Sequence, residues 1–403
     1  VTLKAFAIGK VVATLALLTG AAQAAPSVVV TRPEEPIFLE PAATAPRRGA
    51  AETGARLPVF AERRGPGCNG PFLMVGALAW ICSEGVEPSR LPAPSTRSAP
   101  EEIPDGLPFR YYFVGSDGSF GYRVFDTAEE GTPDAQLLPG FGVAIRRERL
   151  RGGEPFGLST HGLWIPLRDL RPARALEFGG VEIEDDRLDA LWVIAESAPL
   201  YSKPGQRSRS PGLSRFVALR ALEEQTLGRE RYFRVGEAEW VRARDVRGPR
   251  RAPLPSGLRP GERWIDVDLE QQVLTAYVGS RAVFATLVST GRGPEGTELA
   301  TPRGEHRVWV KLRASDMDNL ENLEARENYA IQAVPWVMYF KRGYGLHGTF
   351  WHRAFGRVQS HGCVNLTPRD AKRLFDWTSP RLPSGWSAVF PTEYEPGTLV
   401  RVR

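Results

Sequence analysis

With 403 residues, 42% of them hydrophobic and 25% charged, the chain is long enough for two or three domains and has the apolar content to fill sizeable cores. The formal charge is +5, with arginine spread along the chain rather than gathered on one helix or stripe, so a nucleic-acid module is not indicated.

The N-terminus has Lys4 and Lys10 around a small-apolar stretch that runs to Leu18, then Ala22-Gln23-Ala24 before Ala25. This is the pattern of a secretory signal peptide over residues 1–24, and it predicts export to the periplasm or cell envelope. The apolar run falls short of the ~20 residues that span a bilayer. Residues 25–66 are rich in Pro, Ala, Arg and Glu without periodicity and read as a disordered linker. Cys68 and Cys82 follow close together, while Cys363 stands apart. In an oxidising compartment the arithmetic is one disulfide and one free thiol, with a pair of buried reduced thiols as the alternative.

From about 107 to 247 short β-type runs alternate with Gly, Pro and Asp, as in Phe109–Val114, Phe141–Ile145 and Ala190–Ile194. An internal echo closes two blocks: Trp164-Ile165-Pro166-Leu167-Arg168-Asp169-Leu170 and Trp240-Val241-Arg242-Ala243-Arg244-Asp245-Val246. These endings resemble the last strand and turn of bacterial SH3-like modules, which implies a first β module over 67–173, including the cysteine pair, and a second over 188–247. Residues 248–262 are a proline- and glycine-rich linker with few apolar side chains, so residues 263–403 are expected to fold as a separate domain.

That last domain reads as mainly β. Trp264–Leu269 and Val273–Val278 alternate around Glu270-Gln271 as a hairpin, and Ala282–Val288 continues the sheet. Residues 311–328 are polar and acidic and break the pattern, as a lid or a solvated insertion would. Thr367-Pro368-Arg369-Asp370 starts a short helix that ends before Pro380.

Three of the five histidines flank Cys363: His347-Gly348-Thr349-Phe350-Trp351-His352 precedes Ser360-His361-Gly362-Cys363-Val364-Asn365. A thiol attacks carbonyls as its thiolate, and a nearby imidazole can take and return the proton. These residues suggest acyl transfer through a cysteine thioester. As a metal set they fit poorly, because His347 and His352 alone have a ligand-pair spacing; no metal or cofactor is expected.

His347-Gly348-Thr349 and Ser360-His361-Gly362-Cys363-Val364-Asn365, with Thr301-Pro302-Arg303-Gly304 and Val334–Phe340 upstream in order, resemble the signature of L,D-transpeptidases of the YkuD type over roughly 263–392. The resemblance implies a β-sandwich with a short helix after the nucleophile. It makes Cys363 the nucleophile and His347 the general acid/base, oriented by the backbone carbonyl of Gly348, with His361 supporting the site. The backbone N–H groups of Gly362 and Cys363 are the natural oxyanion donors. Tyr339, Trp351, His352, Ser360 and Asn365 are candidate substrate-cleft residues, Ser360 and Asn365 chiefly fixing the loop. Arginine stands at the position of Asn365 in many members of the family. The implied activity is cross-linking of peptidoglycan tetrapeptide stems, with a stem amine, an anchored envelope protein or water as acceptor. The rival readings are a wall-binding protein that does not turn over and a papain-like peptidase, which would place its cysteine before its histidine.

Overall fold

In the computed structural model of the protein the fold is described for residues 26–94, 104–174, 176, 178–320 and 329–403; the predicted signal peptide lies outside these residues. The chain is mainly β. Its C-terminal part packs two sheets face to face. One sheet runs Val181–Glu182, Arg281–Leu287, Val273–Val278, Arg263–Asp268, Leu399–Val402, Gly304–Arg307; the other contains Val310–Asp318, Ala330–Lys341, Tyr344–Gly348 and Val364–Leu366. Side chains alternate across a strand, so Ile265, Val267, Leu274 and Ala276 of the first sheet meet Trp336, Met338, Leu346 and Val364 of the second. The opposite face of the first sheet, with Trp264, Tyr277 and Leu287, packs under Phe178, Trp192 and Ile194 from upstream.

The helix after the site spans Pro368–Trp377. Thr367 Oγ1 accepts from the Asp370 N–H (3.3 Å), and Pro368 fills the first helical position. Ala371, Leu374 and Phe375 bury its apolar face in the core between the sheets. At its C-terminal end the buried Lys311 donates to Phe375 O and to Thr378 O (2.9 Å), satisfying carbonyls the helix leaves without partners.

Upstream, the sequence expectation needs correcting. Residues 25–66 are not a linker: Ser27–Val30, Glu35–Phe38, Arg47–Ala51, Arg56–Pro58 and Ala61–Arg63 are strands, and with Phe72–Gly76, Ala79–Cys82 and Val86–Ser89 they form a first β block. Its core is Val28, Val30, Ile37, Leu57, Leu73, Val75, Ile81 and Val86. The first strand pairs with the last (Val30↔Val86), and no local pattern announces such a partner. The 67–173 module therefore divides in two, with Cys68–Cys82 bonded inside the first block and a second block running from Arg110–Val114 to Leu170–Pro172. A third runs from Ala190–Val193 to Val246–Arg247.

All three blocks close alike, with strand, one 3-10 turn and strand: Ala79–Cys82, Ser83–Gly85, Val86–Ser89; Trp164–Pro166, Leu167–Asp169, Leu170–Pro172; Glu239–Arg242, Ala243–Asp245, Val246–Arg247. The first copy, Trp80-Ile81-Cys82-Ser83-Glu84-Gly85-Val86, escapes the motif because Gly85 replaces the aspartate.

Nor are residues 263–403 a separate unit. Arg47–Ala51 pairs antiparallel with Trp386–Val389, and Gly49 is needed there because a Cβ would lie 2.3 Å from Ala388 O. Gly142 of the second block pairs with Ile331, and Val181–Glu182 extends the first sheet. The linker itself is tied down: Arg250 bridges Asp268 (2.8 Å) and Glu270 (2.9 Å). Residues 310–318 do not break the sheet either. Val310–Asp318 pairs along Ala330–Lys341, and two of its charged side chains meet the upstream blocks: Arg313 meets Glu52 (2.8 Å) and Asp316 meets His161 (2.6 Å). The rest of the predicted lid, 321–328, lies outside the described residues.

Candidate active site

The strand Ala330–Lys341 turns at Arg342-Gly343 into Tyr344–Gly348, pairing Met338 with Leu346 and Tyr339 with Gly345. Tyr344–Gly348 then runs parallel to Val364–Leu366, with Leu346↔Val364 and His347↔Asn365 as partners. Parallel neighbours need a crossover, and residues 349–363 supply it. The consequence is that Cys363 lies one residue before a strand that runs directly alongside the strand carrying His347.

His347 is buried, and its Nδ1 lies 3.1 Å from Gly348 O and 3.4 Å from Thr349 Oγ1. The contact to a carbonyl puts the proton on Nδ1 and leaves a lone pair on Nε2. The Trp351 ring stacks on the imidazole (centroids 5.8 Å apart). Burial lowers the His347 pKa to about 4, the Gly348 carbonyl pulling the other way. The Cys363 thiol is half-buried, with Sγ 3.7 Å from Gly343 O. Burial raises its pKa, and the Gly345 N–H offsets part of that. Thiol and imidazole are therefore both neutral at pH 7.

The loop before Cys363 is laced internally. Ser360 Oγ donates to Cys363 O (2.5 Å) and accepts the Gly362 N–H (3.1 Å). This corrects one expectation: the Gly362 amide, named as an oxyanion donor, is spent on Ser360. What Gly362 supplies is conformation. Its φ is +122°, and a Cβ would lie 2.5 Å from the Tyr344 ring. Gly362 O accepts from Thr301 Oγ1 (2.7 Å), which accepts the Gly291 N–H (2.8 Å).

Ser360 and Asn365 are both buried and turned into the fold rather than toward a substrate. Asn365 Nδ2 donates to Thr349 Oγ1 (2.6 Å), behind His347. His361 lies at the rim with Nε2 2.8 Å from Arg292 Nη2 and its ring stacked on Tyr329 (5.4 Å). Burial and then Arg292 lower its pKa. Tyr339 is half-buried against the exposed Trp309 (5.9 Å). His352 packs on Phe355 (5.3 Å) with Nδ1 accepting the Ala354 N–H (3.1 Å), so it holds the crossover in place. Its pKa falls to about 4, from burial first and His347 second.

Sequence reasoning missed Arg292, Tyr329, Tyr344 and Thr349. A signal existed for Arg292, an arginine set between Gly291 and Gly293 in the loop that follows a strand.

Upstream residues also frame the site. Phe350 is buried against Tyr111 (4.3 Å) and Phe113 (5.9 Å) of the second block. Tyr111 Oη donates to Ala333 O, and Trp336 Nε1 donates to Gly106 O. Ala333 (φ 50°) and Trp336 (φ 59°) hold left-handed backbone inside the strand that leads to His347.

Residues 262–402, which include both sheets of this region, match the family of the L,D-transpeptidase catalytic domain, YkuD. The matched stretch lies behind the three β blocks. The putative L,D-transpeptidase YqjB of Bacillus subtilis is 25% identical over 128 residues, 30% of this chain and 70% of that protein. Among solved structures, the L,D-transpeptidase of Enterococcus faecium is 24% identical over 35% of this chain and 50% of its own, with a TM-score of 0.26; this chain thus spans half the length of that protein. That of Xylanimonas cellulosilytica is 22% identical over 38% of this chain and 65% of its own, with a TM-score of 0.24.

Proposed function

We propose that the protein is an envelope L,D-transpeptidase that cross-links peptidoglycan stems through a Cys363 thioester. The observation that supports this is the parallel pairing of Tyr344–Gly348 with Val364–Leu366, which sets the strand carrying His347, its Nδ1 held by Gly348 O, next to the strand that Cys363 leads into. Cys363 Sγ attacks the carbonyl of the L-centre of the diamino acid, and His347 Nε2 takes the thiol proton. The developing oxyanion faces the Cys363 N–H, the one of the two nominated amides not spent on Ser360. The C–N bond breaks as His347 returns the proton to the departing D-alanine amine. An amine of a second stem then attacks the thioester; with water instead, the product is a tripeptide. The disulfide Cys68–Cys82 suits the oxidising compartment that the N-terminal pattern implies. The repeated strand–turn–strand endings support reading the three blocks as SH3-like barrels.

The test is product analysis. Purified disaccharide tetrapeptide incubated with the full chain should release D-alanine and yield a cross-linked dimer by mass spectrometry. Tripeptide alone would make the protein an L,D-carboxypeptidase, and unchanged substrate would end both readings.

The pH dependence follows from the two shifts. A general base must be unprotonated, and His347 stays so down to about pH 4. Acylation by a carbapenem, a thiol acylator typical of the family, should therefore hold a plateau above about pH 5 and fall only through about pH 4. A midpoint near the ordinary histidine value of about 6.5 would instead mean that burial does not lower the His347 pKa.

A further inference from the structure

Resting on the transpeptidase reading, we infer that Arg292 receives the terminal carboxylate of the donor stem, so that the cleft reads where the peptide ends. The backbone of Arg292 is fixed against the nucleophile loop. Its N–H donates to Ser360 O (3.0 Å), while the neighbouring Gly291 N–H reaches Thr301 Oγ1 (2.8 Å), which in turn donates to Gly362 O (2.7 Å). Gly293 N–H closes the loop on Leu299 O (3.0 Å), and a Cβ on Gly291 would lie 2.4 Å from that same carbonyl.

The side chain is exposed, with one guanidinium nitrogen on His361 Nε2 (2.8 Å). Among the described residues no carboxylate is within ion-pair reach of it, whereas nearby Arg303 is paired with Glu295 (3.4 Å). A guanidinium offers five N–H donors in a planar fork suited to a carboxylate. One is spent here, and among the described residues none of the others meets a carboxylate. Asn365, where many relatives carry arginine, is buried and committed to Thr349, so it offers the site no positive charge.

The substrate chemistry matches. In a tetrapeptide stem the carboxylate sits on the carbon bonded to the scissile nitrogen. One further residue would carry that charge about 3.5 Å away and leave a neutral amide in its place. A fixed cation beside His361 therefore favours the tetrapeptide over longer stems.

The experiment compares release of D-alanine from the tetrapeptide with release of D-alanine amide from its C-terminal amide, using the full chain and the variants Arg292→Gln and Arg292→Lys. The natural chain should prefer the acid by about ten- to hundredfold in kcat/KM, the range for a charged hydrogen bond. Arg292→Gln should raise KM for the acid until the two peptides are equivalent, with the amide little changed, and Arg292→Lys should recover part of the preference. Labelling of Cys363 by the neutral reagent iodoacetamide should keep its rate in both variants. An equal loss on both peptides would show that Arg292 merely holds His361, and would overturn the inference. So would the same loss of preference in Arg342→Gln, a cation elsewhere on the rim, with none in Arg292→Gln. Turnover of neither peptide by the natural chain would bring down the transpeptidase reading and this carboxylate site with it.

Discussion

Cys363→Ala is expected to abolish both the carbapenem adduct and turnover while the fold persists. The natural chain should gain one covalent adduct, on the peptide that contains Cys363. The cysteines bonded in the first block, Cys68 and Cys82, cannot compete for the reagent. Loss of a nucleophile costs on the order of 10⁴-fold or more in rate. A sulfur replaced by hydrogen at a half-buried loop position shifts stability by about 1 kcal/mol or less. The melting temperature should therefore stay within a few degrees while the rate vanishes. His347→Gln should behave differently, because the thiol remains but its proton acceptor is gone. Its acylation should slow by about 10²- to 10⁴-fold and recover at alkaline pH, where thiolate forms unaided. An adduct that survives in Cys363→Ala would sink the mechanism, whatever becomes of His347→Gln.

What the sequence disclosed and what it hid divide along one physical line: local signals were legible and distant pairings were not. The strands from Arg263 to Leu287 alternate clearly, and the helix start at Thr367-Pro368 is written in four consecutive residues. The cysteine and histidine motifs sit in the two strands that later pair, so their order and spacing disclosed the site. By contrast, Ser27–Val30 looks like linker because its partners, Arg56–Pro58 and Val86–Ser89, lie far along a proline-rich chain. Residues 311–318 look like a lid because their charges seem to need water; in the fold Arg313 and Asp316 find Glu52 and His161 instead. The Gly362 amide was assigned to the oxyanion because nothing in the order of residues reveals that Ser360 Oγ claims it. Arg292 reaches His361 through a Gly291–Ser360 loop crossing that no periodicity records.

Residues 263–403 expressed alone are expected to lose cooperative folding and carbapenem acylation, although they contain every motif of the site. In the whole chain Trp264 and Tyr277 are covered by Phe178, Trp192 and Ile194, Phe350 by Tyr111 and Phe113, and Trp386 by the first block. Each large side chain returned to water costs about 1.5–3 kcal/mol. Four of them together approach the 5–15 kcal/mol, in rough terms, by which a domain is stable at all. The edge strand Trp386–Val389 would also lose its pairing with Arg47–Ala51 and be open to association. The fragment should show a broad thermal transition, weak near-ultraviolet dichroism and acylation far below the full chain. A gentler variant isolates the route from the second block to the site. Tyr111→Phe keeps the ring against Phe350 and removes only the hydroxyl that holds Ala333 O. Its stability cost should be about 1 kcal/mol. The left-handed backbone at Ala333 and Trp336 is then held less firmly, so kcat should fall more than KM rises. A fragment that melts cooperatively and is acylated at the rate of the full chain would show that the upstream blocks are passengers. A Tyr111→Phe variant of unchanged kcat would free the strand before His347 from their control.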